Sequence, residues 1–263
     1  MWPLLVRRED SDLSYEDIAS ETSFGYLALK AEGAPITYDL PIQGSTKRYT
    51  NAVYALGFSM TYEDQYFGRW RKMADYARAL GESARETKEV NIWTELITGD
   101  TTSTIANGEY IFETTHAIPR GGSQSNYVAS ALAYSSLQTA LGNISAMKDP
   151  RGFPAHLRPK YLWVHPTQYL LACEILKSVG RPDVMDRADN QLMGMLVPMR
   201  TPYITTAADW FIECEKHSFF MFQHMPFVVD YWWDGETKNW LVSVQEGYSY
   251  GFQSYIGYYM GTA

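Results

Sequence analysis

The sequence predicts an α+β chain organised around one long amphipathic helix. Three observations carry that reading. Residues 61–99 hold a helical apolar period, and residues 33–60 before them alternate with period two. Behind the helix, helical and strand-like stretches alternate, and from Pro226 onward the pattern is strand alone.

The helix sets the scale. Tyr66, Trp70, Met73, Ala77, Leu80 and Ala84 recur at fours and threes, which places them on one side of a 3.6-residue helix. The stripe rotates around Val90 and continues through Trp93 and Ile97. Thr61 followed by Asp64 has the form of a capping box, and Gly99 sits where a C′ glycine belongs. At about 1.5 Å per residue such a helix is about 50 Å long, more than a compact core needs. Gly68 and Gly81 lie inside it and mark the expected bends, each costing about 1 kcal/mol against alanine. Glu82, Glu86 and Glu89 alternate with Arg85 and Lys88, the pattern of a solvated, salt-bridged face.

Residues 1–32 carry too few apolar side chains for a core of their own, so they are expected to form an arm lying on something else, with a short helix near Ser14–Ser20. In residues 33–60, Ile36, Tyr38 and Leu40 alternate with polar neighbours, and so do Ala52, Tyr54, Leu56, Phe58 and Met60. These predict two strands of a long hairpin with the polar, basic tip Pro41–Arg48. A tip of this kind contributes to contacts with a partner rather than to the core. Asn107-Gly108 is a turn before a short strand, and PRGGSQSN at 119–126 marks a domain boundary.

In residues 126–225, Leu137, Ala140, Leu141 and Ile144 share a helical face behind Ser135-Ser136, and Asp149–Gly152 is a turn. Tyr161–His165 reads as a buried strand, and Pro166 opens a helix whose core face is Tyr169, Ala172, Cys173 and Leu176. Leu196-Val197 and Trp210–Ile212 are further strands. In residues 226–263, Phe227–Trp233, the Asp234-Gly235 turn and Trp240–Tyr250 form a hairpin.

Composition narrows the function. Hydrophobic content of 46% in 263 residues supplies a sizeable core, and the net charge of −8 leaves no broad basic face for tight nucleic-acid binding. The pairs Arg7-Arg8, Lys47-Arg48 and Arg71-Lys72 are scattered. Cys173 and Cys214, both in apolar contexts, read as buried free thiols of a reducing compartment. No apolar run reaches membrane-spanning length and no signal peptide is visible, so the sequon Asn143-Ile144-Ser145 carries no weight.

Catalytic patterns fail on context. Gly247-Tyr248-Ser249-Tyr250-Gly251 matches a nucleophile elbow as a string, but strand-like sequence follows it, with neither an acid nor a histidine. His116, His156, His165, His217 and His224 have no metal-ligand spacing, and Arg120-Gly121-Gly122 is a single loop-like copy. No metal and no cofactor is expected.

The order of arm, projecting hairpin, long helix, α/β stretch and returning strands resembles the major capsid proteins of tailed bacteriophages with the HK97 fold. The local phrases are similar as well: Ile36-Thr37-Tyr38-Asp39, Gln43-Gly44 and Lys47-Arg48-Tyr49 leading into Tyr54–Thr61. Asn107-Gly108, Ile111-Phe112, His116 and Ser125-Asn126 look like the stretch after the family's spine helix. Leu162–Pro166 with Ala172 and Ile175–Ser178, and then Ala208–Phe211, resemble its central strands and helix.

The resemblance implies an N-terminal arm (1–32), an extended E-loop (33–60), a peripheral domain with the spine helix (61–125, completed by 226–263) and an axial domain (126–225). It implies a subunit that self-assembles into hexamers and pentamers of an icosahedral head, made in the host bacterial cytoplasm. Portal, scaffold or decoration proteins and non-specifically contacted double-stranded DNA are the further partners it implies, with no membrane. Gln43, Gly44, Lys47, Arg48 and Tyr49 on the hairpin, and Arg71 and Lys72 on the helix, become the candidate intersubunit contacts. Some relatives crosslink an E-loop lysine to a neighbour's asparagine; Lys47 and Asn239 are the conceivable pair here, but no matching motif supports them, and both crosslinking and a cleaved scaffold segment are left open. The competing readings are a nanocompartment shell of the same fold, a hydrolase using Ser249, and a binding module whose hairpin holds a ligand.

Overall fold

The computed structural model describes residues 1–21, 24–41, 43–118, 121–181 and 189–263, with the side chains of Glu21 and Trp70 left aside. Ile42 of the expected tip and Pro119 and Arg120 of the expected boundary loop lie outside the described residues. In chain order the elements are α1 (Trp2–Leu5), β1 (Arg7–Asp10), β2 (Tyr15–Glu21), β3 (Gln43–Thr50), β4 (Ala52–Met60), α2 (Tyr62–Tyr66) and α3 (Trp70–Ile97). Then come β5 (His116–Ala117), β6 (Ser123–Gln124), β7 (Tyr127–Ala129), α4 (Tyr134–Ala146), β8 (Pro159–Val164) and α5 (Tyr169–Lys177). β9 (Val197–Arg200), β10 (Trp210–Cys214), β11 (Phe219–Trp233), β12 (Trp240–Phe252) and β13 (Tyr258–Thr262) complete the chain.

The chain divides into two compact units. The first comprises Met1–Asp17, Arg48–Leu96 and Phe219–Gly251; the second comprises Ile18–Lys47, Ile97–Ser218 and Phe252–Ala263.

The first unit is built on a four-stranded sheet in the order β1-β11-β12-β4. β1 runs parallel to β11, from Arg7 opposite Phe220 to Asp10 opposite Gln223. β12 runs antiparallel to β4, from Trp240 opposite Met60 to Tyr248 opposite Ala52. Val242 and Val244 of β12 are buried and pack with Leu80 of α3, supported by Phe58, Met73 and Ala84. Further along α3, Ile92, Trp93 and Leu96 are buried.

Thr61 caps as expected, its Oγ1 accepting from the Asp64 N–H at 3.3 Å. The helix then breaks. Gly68 takes φ +72°, a left-handed conformation that glycine adopts without strain, and α2 stops before it. Tyr66 is therefore not on the α3 stripe, and Ala77 is exposed. α3 is 28 residues, about 42 Å, and passes through Gly81 without interruption, because Gly81 keeps a helical φ.

The expected solvated face is only partly solvated. Lys88 Nζ lies 2.7 Å from Glu246 Oε2, with side chains 12% and 5% exposed. Glu89 is buried and accepts the Trp2 N–H at 2.9 Å. The reason is α1: Leu5 and Val6 are buried and β1 joins the sheet, so residues expected to lie on something else pack in the first unit instead. The short helix expected at Ser14–Ser20 is the strand β2, consistent with the period-two placement of Tyr15, Asp17 and Ala19.

The second unit holds a five-stranded sheet ordered β7-β13-β10-β8-β9. β10 is antiparallel to both β13 and β8, whereas β7 pairs parallel with β13 and β9 parallel with β8. Leu137, Ala140 and Ile144 of α4 and Ala172, Ile175 and Leu176 of α5 form one core with Leu162, Val164, Trp210, Ile212 and Tyr259. The Pro166 start is as expected, preceded by His165, whose Nδ1 accepts from the Thr167 N–H at 3.3 Å. Ser136 serves from inside α4: its Oγ accepts from the Ala133 N–H at 2.9 Å. Gly99 is not a left-handed cap. It lies in a 3₁₀ turn, Thr98–Asp100, where an added Cβ would come 2.7 Å from Phe112 Cδ2. Neither cysteine is bonded, and burial pushes the Cys214 thiol up to about 12.

Two expectations follow from this packing. An added Cβ at Gly261 would stand 2.1 Å from Trp210 Cε2, and Trp210 is fully buried with its Nε1–H donating to Ser130 O at 3.1 Å. The ring has no room to yield, so Gly261→Ala should cost about 1–3 kcal/mol in denaturant unfolding. Gly81 has nothing within 4 Å of the same point, so Gly81→Ala should instead stabilise by about 0.5–1 kcal/mol.

Burial also pushes the Glu213 carboxyl up to about 7, against the Trp163 Nε1–H at 2.7 Å and the nearby Lys160 charge. The folded chain then keeps a proton that the unfolded chain loses near 4.5. Its stability contribution is full below that value and is lost as pH rises to about 7, on the order of 3 kcal/mol in all. Glu213→Gln should remove that slope, leaving the variant the more stable protein at pH 8, as compared by unfolding midpoints at pH 5 and pH 8.

Candidate functional site

The hairpin is built differently from the alternation that announces it. Ile36–Leu40 forms no strand, whereas Gln43–Thr50, expected as a loop, is β3 and pairs with β2. A period-two segment becomes a strand only when a partner edge is available, and Pro35 and Pro41 bracket this one. β3 has its partner and the side chains to hold it. Arg48 grips Asp17 with two hydrogen bonds, Nε to Oδ1 at 2.8 Å and Nη2 to Oδ2 at 2.6 Å, and its guanidinium stacks 4.3 Å from the Tyr15 ring centre. Those bonds hold the Asp17 carboxyl below its usual range.

Gly44 lies under Ser20, where a Cβ would come 2.3 Å from Ser20 Oγ. Lys47 Nζ donates to Thr104 O. Tyr49 is buried against Phe222, ring centres 5.2 Å apart, and burial raises its hydroxyl. Gly44, Lys47, Arg48 and Tyr49 thus meet partners within the chain, and Gln43, exposed, belongs to β3. The tip was expected to matter little for folding; the structure corrects that for residues 43–50.

The segment that projects is 24–41. Tyr26, Leu27, Leu29, Ile36, Tyr38 and Leu40 are exposed, with Leu27 and Leu29 fully so. Its base is tied down in the second unit. Asp39 Oδ2 accepts from the Gly25 N–H and from Arg151 Nη1, both at 2.7 Å, and Tyr26 packs on Phe153 with ring centres 4.1 Å apart. The Gly25 N–H, first of all, and Arg151 hold the Asp39 carboxyl below its usual range.

A second exposed surface lies in the first unit. Tyr66 and Phe67 at the end of α2 are 79% and 73% exposed. At the outer end of the β11–β12 hairpin, Tyr231, Trp232 and Trp233 are exposed as well. Tyr62 joins these groups, its ring edge-on to Trp233 with centres 6.2 Å apart and 6.4 Å from Tyr66. Arg71 and Lys72 stand exposed at the start of α3. A groove of about 370 Å³ runs between α3 and the sheet, lined by Tyr54, Leu56, Ala84, Phe227 and Val244.

Sequence reasoning missed the β11 surface, although a signal was present. Phe227–Trp233 is apolar at every position but Asp230, so both faces of the strand carry apolar side chains and one had to meet something other than the core.

Among the described residues no catalytic arrangement accompanies these surfaces. Ser249 sits within β12, not on the strand-to-helix turn of an elbow, and its hydroxyl donates to Asn51 Oδ1 at 2.7 Å. His116 is buried between Glu109 Oε2 at 3.2 Å and Asn126 Oδ1 at 3.0 Å and stacks on Tyr255, a network that ties loops to one another. Among the described residues no group of three His, Cys, Asp or Glu is placed to hold a metal ion. Among the described residues no helix is long and apolar enough to cross a membrane.

Comparison with known proteins is consistent with this picture. A family model described as phage capsid protein matches residues 44–259. No curated protein matches the sequence. The capsid structure of cyanophage P-SCSP1u aligns over 98% of this chain and 85% of its own, with TM-score 0.66 and 10% identity. The capsid of an empty GTA particle aligns over 99% and 88%, with TM-score 0.62 and 10% identity. The capsid of bacteriophage JBD30, decorated with minor capsid protein trimers, aligns over 78% and 90%, with TM-score 0.62 and 11% identity. At these identities the likeness is one of fold.

Proposed function

We propose how this chain, which belongs to the phage capsid protein family and is a structural subunit of a phage head shell, builds that shell: copies associate through the projecting segment 24–41 into hexamers and pentamers. The observation that carries the reading is the exposure of Tyr26, Leu27, Leu29, Tyr38 and Leu40 on an extended segment tied only at its base. An isolated chain would leave that apolar surface in water, and a neighbouring copy removes it. In this reading the first unit is the peripheral domain with α3 as its spine, the second is the axial domain, and β2, β3 and the segment between them are the E-loop.

The shell surrounds double-stranded DNA in the host cytoplasm. Contact with the DNA is weak, independent of sequence and salt-sensitive, since a net charge of −8 offers few cations to phosphate. Portal, scaffold and decoration proteins meet the assembled surface rather than the single chain.

The test replaces Phe24–Pro41 by a short glycine-containing turn, leaving β2 and β3 in place. The subunit's melting temperature should move by no more than about 4 °C, because a surface loop contributes little to the core. Closed particles seen by negative-stain microscopy for the parent chain should be absent. Normal shells from the shortened chain would sink the assignment.

A further inference from the structure

We propose that the outer end of the β11–β12 hairpin of one copy docks on the α2–α3 junction of a second copy, aromatic against aromatic, with carboxylates on the first surface facing Arg71 and Lys72 on the second. The inference rests on the shell reading above and names one contact within it.

The two surfaces share apolar chemistry and differ in charge. The hairpin end presents Tyr231, 74% exposed, with Trp232 and Trp233. Asp230, Asp234 and Glu236 stand around them against Lys238 alone. Asp234 is occupied in the turn, accepting from the Glu236 N–H at 3.1 Å and from Thr237 Oγ1. Asp230 makes one hydrogen bond, from Gln245 Nε2 at 3.1 Å, and Glu236 is exposed. Both carboxylates are therefore open to a cation.

The junction presents Tyr66 and Phe67 with Arg69, Arg71 and Lys72. Arg69 is paired with Asp64 at 2.7 Å, which leaves Arg71 and Lys72 facing outward. Among the described residues no ion pair joins Arg71, Lys72, Asp230 or Glu236 to any other group in the chain. The break at Gly68, φ +72°, is what makes the junction: an unbroken helix would carry Tyr66 along the α3 stripe.

An aromatic centre with a charged rim is the anatomy of a protein interface, and opposite charge on the two rims sets partner and register. Exposed aromatic clusters of this kind are uncommon on proteins that act alone. Within one chain Tyr62 links the two patches, so each copy carries both halves of the contact side by side. When each copy offers its hairpin to one neighbour and its junction to another, the contact is heterologous and closes into a ring or continues around a shell.

Charge exchange in the full-length chain tests the contact, read as particle yield by sedimentation and negative-stain microscopy. Arg71→Glu with Lys72→Glu, and separately Asp230→Lys with Glu236→Lys, should each lower the yield about tenfold or more, with the loss growing at low salt. The four substitutions together should return most of the yield, because opposite charges face one another again. As a second arm, chains carrying F67C are mixed with chains carrying W232C under oxidising conditions. A disulfide-linked dimer well above either variant alone is expected, and it forms only between copies. If the parent forms particles while the fourfold variant shows no recovery and the mixture no dimer, this contact is wrong and the shell reading stands. If the parent forms no particles, the shell reading fails and the contact with it.

Discussion

The pairing of β4 with β12 is the constraint on which the first unit depends. It joins Ala52–Met60 to Trp240–Tyr248 in one antiparallel register, and Asn51 receives the Ser249 hydroxyl across almost the whole length of the chain. β11 is held on the other side of β12 and in turn receives β1. Without that closure α3 would have no apolar face to lie on, since Leu80, Met73 and Ala84 find their partners in Phe58, Val242 and Val244. The entropy of bringing such distant segments together must be repaid by the sheet and the helix at once, which ties strand pairing and helix docking into one cooperative step.

Charge inside the two units is handled by pairing or by protonation. Lys88 meets Glu246 at 2.7 Å and lies 5.2 and 5.4 Å from the ring centres of Trp2 and Tyr248, so its charge is compensated where water is scarce. Glu213 has one donor, the Trp163 indole, and burial favours its neutral form. A buried carboxyl pushed up to about 7 invites a catalytic reading. Here it lies near Trp163, Tyr258 and Cys214, whose thiol burial holds up at about 12, and no group of three metal-binding side chains of the described residues includes it.

The polar and apolar surfaces divide the work of a shell subunit. Lys47 and Arg48 spend their charged groups on the chain itself, whereas segment 24–41, the end of α2 and the end of the β11–β12 hairpin leave large apolar groups in solvent. A protein that acted alone would bury or replace such groups. One that occupies a fixed place among copies of itself can keep them exposed until a neighbour arrives, and the small free energy of each contact is repeated around the particle.

The sequence by itself determined the α+β class, the long helix, a cap at Thr61 that serves the short α2 ahead of that helix, the buried strand before Pro166, the hairpin at Asp234-Gly235 and the family resemblance. Each of these is local: a period, a cap or a turn residue acts over a few positions and needs no partner to be read. What only the tertiary structure decided were matters of partnership. Ile36–Leu40 has a strand's alternation and no strand beside it, while polar Gln43–Thr50 becomes a strand because Tyr15–Glu21 lies alongside. Lys88 and Glu89 follow the pattern of a solvated face and turn out to be covered, because α1 and β12 come to rest there. Of the candidate contact residues, Gly44, Lys47, Arg48 and Tyr49 meet partners within the chain, whereas the side chains of Gln43, Arg71 and Lys72 are exposed. Spacing along the chain fixes which face a side chain occupies; whether that face meets water, a strand or another copy depends on segments that arrive from far away in sequence.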